Sequence, residues 1–175
     1  MISRKSLLVT VVLVFVLAVL AGCTAGTVEV PDREIDINMD DAMAGQAKGM
    51  QALSTGEVTW TEAEFSSFIT ELLQQNLGSS SPITSVKAWF EDDNGVVFQV
   101  GLPGGMTADL SGKIMVEDHI IQVELDSASA MGMSAAGSIL NVIQGAINRA
   151  LNDPSMGVLV NVETAPGEIT LSYGM

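Results

Sequence analysis

Cysteine is nearly absent from this chain of 175 residues, in which Cys23 is the only one. A single cysteine excludes an intrachain disulfide and a thiolate metal cluster. The folded part of the chain must therefore be stabilised by the burial of apolar side chains. A hydrophobic content of 47% is sufficient for a core of that kind.

Basic residues are also scarce, since 7 lysines and arginines stand against 21 acidic residues and give a formal net charge of -14. A body of this charge repels the phosphates of nucleic acids. It equally disfavours a polybasic contact with anionic lipid headgroups. The composition therefore favours a soluble, repulsive body and excludes nucleic acid as a partner.

Residues typical of catalytic sites are few. His119 is the only histidine, and its place beside Glu117 and Asp118 is typical of a solvated turn. The chain contains neither a G-x-S-x-G motif nor a Gly-rich or Walker phosphate loop. Paired carboxylates for glycoside chemistry remain open, but aromatic platforms for sugars are few, with 5 Phe, 2 Trp and 1 Tyr. We predict no enzyme and no cofactor.

One acidic pattern imitates a metal site. Asp36-x-Asn38-x-Asp40 matches the opening of a calcium loop. However, Asp41 stands where that loop requires glycine, and Ala47 stands where it requires a bidentate glutamate. The sequence therefore predicts no metal site.

One long apolar run is present, Leu7–Leu20, and it follows the basic pair Arg4 and Lys5. A basic start, a short apolar segment and a small-residue cleavage site are typical of an export signal. The run is shorter than the roughly 20 residues that a spanning helix needs. The segment Leu20-Ala21-Gly22-Cys23 closes it and resembles the lipobox of bacterial lipoproteins.

That resemblance implies that residues 1–22 are a lipoprotein signal peptide. It implies that Cys23 is lipidated, with acyl chains such as palmitate, and becomes the first residue of the mature chain. The protein is then extracytoplasmic and anchored to a membrane, on the outer face of the cell membrane or on the periplasmic side. Residues 23–37 would form a tether and 38–175 a single domain with its core in 57–175. An uncleaved anchor helix, or an ordinary signal with a chance cysteine, are the alternatives.

Three helices are predicted from the 3.6-residue period of apolar residues. The first begins near Asn38, and the third spans Ala136–Leu151. The apolar stripe of the first consists of Met39, Met43, Ala47, Met50 and Leu53.

The second helix has the clearest start signal. Thr61 and Glu64 form a capping box, and Trp60 and Phe65 stand where a hydrophobic staple is expected. Its apolar stripe has to be buried against a sheet, because no other element nearby can cover it.

Six strands are predicted from two-residue alternation: Ile83–Phe90, Val96–Leu102, Met106–Val116, His119–Leu125, Val158–Thr164 and Glu168–Tyr173. Asn94-Gly95 is the expected pair of a type I′ turn, Gly112 marks a bulge, and Ser127–Gly137 is a small-residue connection. Short loops between consecutive strands predict antiparallel pairing. The fold class is α+β, with a curved antiparallel sheet packed against two or three helices. A four-strand meander and a C-terminal hairpin make up that sheet.

The 10 methionines leave two interpretations open. Methionine fills irregular cores, and it also lines adaptable binding surfaces because its side chain is flexible and polarisable. The first interpretation predicts a filled core. The second predicts a pliable apolar cavity for an acyl chain or another hydrophobic ligand.

The order of elements carries a further resemblance. Val58–Phe65 is a short strand leading into the Thr-x-x-Glu-capped helix, and four strands, a small-residue linker, a helix and a hairpin follow. This order resembles small extracytoplasmic proteins of the YpmS type and, more distantly, the lipid-binding TULIP-like domains of bacterial envelopes, over residues 57–175. The resemblance implies an apolar groove between a long helix and a curved sheet. The residues expected to line a groove are Phe65, Phe68, Ile69, Leu72, Val97, Phe98, Ile121 and Val123.

We therefore expect a lipid-anchored, non-enzymatic envelope protein that binds a hydrophobic ligand such as a lipid in a groove between helix and sheet. The alternative is a structural or protein-interaction module of the envelope with a filled core. A third hypothesis, an enzyme of carboxylate chemistry, requires two acids in one cleft with opposed pKa shifts. A continuous apolar cavity of ~300 Å³ or more favours the ligand binder.

Overall fold

A computed structural model describes residues 28–77, 83–130, 133–134, 144–145, 147–149 and 159–174. The predicted signal peptide and Cys23 lie outside the described residues. Most of the predicted helix Ala136–Leu151 also lies outside them, and the five residues of it that are described are helical. Within the described part of the chain, no helix is long and apolar enough to cross a membrane.

Two helices and eight strands have defined bounds within the described residues. The helices are α1 (Met39–Thr55) and α2 (Glu62–Leu77). The strands are β1 (Glu57–Thr61), β2 (Ser85–Phe90), β3 (Gly95–Leu102), β4 (Met106–Glu117), β5 (Ile120–Ala130), β6 (Met133–Ser134), β7 (Leu159–Ala165) and β8 (Glu168–Tyr173).

The strands form two antiparallel sheets, one of order β1-β8-β7 and one of order β2-β3-β4-β5-β6. The predicted α+β class, the meander and the C-terminal hairpin are confirmed, but the hairpin lies in the three-stranded sheet and does not share one sheet with the meander as predicted. The hairpin pairs with β1, where Trp60 lies opposite Ile169. Sequence periodicity did not assign this pairing, because β1 and β8 are far apart in the chain and their contact depends on tertiary structure.

The turn between β2 and β3 lies one residue earlier than predicted. Asp93 and Asn94 both have positive φ, 57° and 61°. The Gly95 N–H donates to the Asp92 carbonyl, so these two residues are the first and fourth of the turn. Asp93-Asn94 is therefore the central pair, with the two positive φ values of a type I′ turn.

The turn between β4 and β5 includes one residue, His119, that was predicted to begin a strand. Asp118 and His119 have φ of 51° and 68°, so His119 is a turn residue and does not begin β5. Its exposure agrees with the solvated position expected from the sequence.

The predicted bulge at Gly112 is confirmed by a shift of register between Ser111 and Gly112 in the β4–β5 pair. A Cβ at Gly112 would collide with the backbone of Glu124. The predicted connection beginning at Ser127 was wrong, because β5 continues to Ala130. Small residues fit this strand because it packs closely, with the hydroxyls of Ser111 and Ser127 2.6 Å apart.

The core lies between the helices and the inner faces of the strands. Phe65 of α2 is central to it: its ring centroid lies 6.1 Å from that of Trp60 and 5.1 Å from that of Phe90. The first contact is the predicted hydrophobic staple. Val86, Phe98, Leu110 and Ile114 are among the strand residues that complete the core.

Candidate functional site: the exposed face of the first helix

The apolar stripe of α1 faces solvent. Met39, Met43, Met50 and Leu53 are 58%, 62%, 68% and 55% exposed. These are four of the six large hydrophobic side chains that are exposed among the described residues. Core filling was therefore the wrong interpretation for these three methionines. Exposed apolar surface gathered on one helix is a usual sign of a binding surface.

Small residues explain why α1 turns this stripe outward. Its buried positions are Ala42, Gly45 and Ala52. The Trp60 Nε1–H donates to the Gly45 carbonyl oxygen over 2.8 Å. A small-residue face lets α1 approach α2 and β1 closely, and the bulky side chains are left on the other side.

Both ends of α1 are capped, so the exposed stripe stands on a well-formed helix. At its start, the Asn38 Oδ1 accepts a hydrogen bond from the Asp41 N–H over 2.9 Å. At its end, Gly56 adopts the left-handed conformation, and its N–H donates to the Ala52 carbonyl over 2.8 Å. Asn38, one of the residues that imitate a calcium loop, therefore serves as the N-cap of a helix, and Asp41, which breaks that pattern, supplies the N–H that it caps.

An ion pair fastens α1 to α2. The Lys48 Nζ lies 2.7 Å from Glu64 Oε2, and Glu64 also closes the predicted capping box with Thr61. Burial raises the pKa of Glu64, but hydrogen bonds from Lys48 and Thr61 outweigh burial and hold this pKa below its usual value. The carboxylate is thus engaged by the fold as an ionised acceptor.

A shallow cleft of about 100 Å³ separates α1 from α2. Its lining residues are Met39, Ala42, Met43, Gln46, Phe68, Glu71, Leu72 and Gln75. Two of the predicted groove residues, Phe68 and Leu72, therefore border the exposed stripe. The volume is well below the roughly 300 Å³ at which small-molecule pockets begin.

The other predicted groove residues lie elsewhere. Five of them are buried in the core: Phe65, Ile69, Phe98, Ile121 and Val123. Val97 lies on the opposite face of β3 from Phe98, since successive side chains of a strand alternate. It borders a separate open cleft of about 340 Å³ with Val30, Pro31 and three acidic residues, Glu29, Asp32 and Glu91. The eight residues therefore do not share one surface.

Acidic side chains do not converge on a metal site in the described residues. No group of three or more His, Cys, Asp or Glu side chains there is arranged to hold a metal ion. His119 is exposed, as expected for a turn.

One face of α2 covers the free edge of β2, a role that the sequence analysis missed. Four polar residues at a spacing of four, Glu62, Ser66, Thr70 and Gln74, bond to the β2 backbone or to residues beside it. Four helical residues rise about 6 Å, and two strand residues about 6.6 Å, so the two repeats match. The i, i+4, i+8, i+12 polar series was the available signal.

A buried carboxylate joins α2 to three other parts of the chain. Glu62 accepts hydrogen bonds from Arg33 at 2.9 Å, the Phe90 N–H at 2.9 Å and the Gly167 N–H at 3.3 Å. The hydrogen bond to Glu62 raises the pKa of Arg33 further above its ordinary value. These partners saturate the carboxylate, so this group holds the fold together.

The contact between Arg33 and Glu62 also attaches part of the predicted tether, residues 23–37, to the domain, and two further features support this attachment. The Trp89 Nε1–H donates to the Arg33 carbonyl over 2.7 Å, and Ile35 is buried. Arg33 is thus a fixed point for the chain that leads from Cys23.

No protein-family model matches the sequence, and no curated protein matches it either.

Proposed function

We propose that this protein is a lipid-anchored, extracytoplasmic interaction module, without enzymatic activity, that docks an amphipathic protein helix on the exposed stripe of α1. One observation carries the proposal: Met39, Met43, Met50 and Leu53 are each more than half exposed on a capped helix above a filled core. A helix with an apolar face is the natural partner for such a row, since helix recognition uses anchors at i, i+3, i+4 and i+7.

Two features favour a protein helix over a small molecule. Five of the eight residues expected to line a ligand groove are packed in the core. The cleft beside the stripe measures about 100 Å³ and opens to solvent. An elongated row of separate side chains suits an elongated partner better than a compact ligand.

Charge argues against the bilayer itself as the occupant. Helices that lie in a membrane interface carry Lys and Arg on their polar face. In α1 the first turn holds Asp40 and Asp41, and the last turn has no basic residue. Anionic lipid headgroups would repel this helix.

The proposed lipid anchor on Cys23 determines where the α1 surface would lie relative to the membrane. The lipobox-like Leu20-Ala21-Gly22-Cys23 is the basis for a lipid on Cys23. From Cys23 to Arg33 the chain can span at most about 35 Å. The α1 surface would therefore meet partners that share its membrane or lie close above it.

The anchor is tested by Cys23→Ser in the full chain, followed by fractionation of cells. We expect the variant to leave the membrane fraction, because an acyl chain would no longer hold it. Full retention in the membrane would instead identify the apolar run as an uncleaved anchor helix.

The docking surface is tested by replacing Met43 with a photoreactive benzophenone amino acid in the full chain, in intact cells. Gln51 is the matched control, because it is exposed on the same helix but lies away from the stripe. We expect protein adducts at position 43 and none at position 51. Adducts at neither position, or equally at both, would count against a docking surface on α1.

A second candidate is an apolar ligand seated between α1 and α2. The observation that favours it is the lining of that cleft, where Met39 and Met43 face Phe68 and Leu72. The element order that resembles TULIP-like domains points the same way. Native mass spectrometry of the gently purified protein tests it: a lipid that co-purifies and is lost on denaturation supports this candidate, and a bare polypeptide mass contradicts it.

A further inference from the structure

The exposed row on α1 has the spacing of a coiled-coil seam. Its members are Met39, Met43, Gln46, Met50 and Leu53, with successive steps of four, three, four and three residues. Gln46 is exposed with the other four. Steps that alternate between three and four define the a and d positions of a heptad, whose side chains pack against a second helix. This row is called the α1 seam below.

Gln46 at the middle of the seam restricts which helix fits. Its amide both donates and accepts hydrogen bonds, so it pairs well with another amide and poorly with an apolar side chain. A buried amide without a partner is costly. A parallel, in-register copy of α1 places Gln46 opposite Gln46, and Met43 and Met50 each opposite themselves. The register that pairs the two amides is therefore favoured over registers that bury either amide against an apolar side chain.

The flanks of the seam also permit a copy of the same helix. The positions beside it in the heptad are Asp40, Ala42, Ala47, Gly49 and Ser54. Only Asp40 is charged, so identical charges do not line the contact in spite of the acidic composition of the whole chain. The small side chains allow two helices to approach closely.

The described residues of the domain leave room for the second copy. Gly45 and Ala52, two of the buried positions of α1, are turned by about 120° and 140° from the middle of the seam around the helix axis, and Ala42, which flanks the seam, is turned by about 60°. In a parallel pair related by a two-fold axis, the two domains would lie on opposite sides. Both tethers would leave from the same end, toward one membrane.

We propose that the partner helix is α1 of a second copy of this chain, so that the protein forms a parallel two-fold dimer along the α1 seam. This proposal rests on the docking surface proposed above and names its occupant. Four large side chains from each copy make a contact at the small end of protein interfaces. The dimer is therefore weak in dilute solution and favoured where lipid anchors concentrate the chain on a membrane.

The test is disulfide cross-linking of the full chain in membranes, with Gln46→Cys as the probe. A lipidated Cys23 has no free thiol, so the new cysteine is the only one that can be oxidised. Facing Cα atoms of two helices packed 8–10 Å apart come within roughly 6 Å, which a disulfide can span. Gln51→Cys is the matched control, and the unsubstituted chain reports any contribution from Cys23.

We expect mild oxidation to convert Gln46→Cys to a species of twice the mass and to leave Gln51→Cys and the unsubstituted chain monomeric. Adding Met50→Glu to Gln46→Cys places a carboxylate in the seam and should lower the yield at least about tenfold, because a buried unpaired charge opposes association. Adding Gln51→Glu instead, away from the seam, should leave the yield unchanged.

Equal cross-linking at positions 46 and 51, or none at 46, would overturn the dimer. If none occurs at 46 while the benzophenone at position 43 captures another protein, the docking surface stands and only its proposed occupant is wrong. If neither probe forms a protein adduct, both proposals fail.

Discussion

Gly45 lies at a close contact between α1 and α2. A Cβ on this residue would lie 2.9 Å from the Glu64 carbonyl oxygen and 3.2 Å from the Phe68 Cβ. The nearer atom belongs to the backbone, so it cannot move aside cheaply. Because Gly45 has no side chain, α1 can pack closely against α2 on this face. The opposite face of α1, with its methionines, is therefore left exposed.

Gly45→Ala should destabilise the protein, although alanine is the better helix former. We expect a loss of roughly 1–3 kcal/mol from overpacking, which outweighs a gain of about 1 kcal/mol in helix propensity. The free energy of unfolding in urea measures the result. Gly145→Ala is the control and should stabilise slightly, because among the described residues a Cβ there would meet only the Arg149 side chain, at 4.0 Å. A stabilised Gly45→Ala variant would show that the α1–α2 contact is looser than described.

The ion pair between Lys48 and Glu64 should make stability depend on pH. The pKa of Glu64 is lowered in the folded state from its ordinary 4.5, so its stabilisation is complete above pH 4.5 and lost as pH falls below that value. The variant Glu64→Gln should lose roughly 1 kcal/mol at pH 7, and this difference from the unsubstituted protein should shrink toward pH 3. Urea unfolding of both proteins at the two pH values measures it. A difference independent of pH would contradict the role of the ionised carboxylate.

At the scale of elements, α2 serves two neighbours with two different faces. Its apolar stripe packs into the core through Phe65, Ile69 and Leu73. Its polar series bonds to the outer edge of β2, where unpaired backbone groups would otherwise invite another strand. The buried Ser66 and Thr70 are therefore adapted to a sheet edge, although each is an average or poor residue for the interior of a helix.

Thr70→Val should destabilise the protein, because it removes one of the side chains with which α2 bonds to the free edge of β2. The Thr70 hydroxyl accepts from the Val86 N–H at 2.9 Å and donates to the Val86 carbonyl at 3.2 Å, and both residues are buried. Valine has nearly the same shape, so the loss of roughly 1–3 kcal/mol would come from unpaired backbone groups. The measurement is again unfolding in urea, with the exposed Thr107→Val as control. Equal stability of the two variants would mean that water replaces the hydroxyl.

At the scale of the whole molecule, the contact between Arg33 and Glu62 links the tether to the domain. Arg33 also bonds to the Phe90 carbonyl and to Glu91, each at 2.9 Å. The Gly167 N–H, in the turn between β7 and β8, reaches the same carboxylate from the three-stranded sheet. One ion pair therefore connects the segment before α1, the start of α2, the end of β2 and the C-terminal hairpin.

Arg33→Met should destabilise the protein by roughly 1–3 kcal/mol, because it leaves the buried Glu62 carboxylate without its cation, and the 38% exposure of the Arg33 side chain keeps the loss below that of a fully buried pair. Adding Glu62→Gln should recover part of this loss, since a neutral amide is less costly to bury than an unpaired charge. A double-mutant cycle measured by urea unfolding gives the coupling between the two residues. If the losses of the two single variants simply add up in the double variant, the ion pair contributes little, and the other hydrogen bonds of Glu62 hold these four parts of the chain together.

Local signals in the sequence were sufficient to predict where most of the described helices and strands begin and end. The capping box of Thr61 and Glu64, the staple of Trp60 and Phe65 and the bulge at Gly112 depend on residues that are neighbours in the chain or in one hairpin. Such signals act over a few residues and need no knowledge of distant partners. The length of β5 and the position of two turns were predicted less well, because small and polar residues tolerate both strand and turn.

The sequence by itself determined the α+β class, the order and approximate bounds of the described helices and of the described strands other than β6, and the lipobox-like segment on which the proposed anchor rests. Tertiary structure decided which face of α1 is buried, which strand the hairpin meets and where Glu62, Ser66 and Thr70 find partners. The reason is physical. Apolar periodicity reports a stripe, but the contact is chosen by steric fit and by backbone groups that need partners. In α1, glycine and alanine pack closely against Trp60 and α2, and the methionines remain outside.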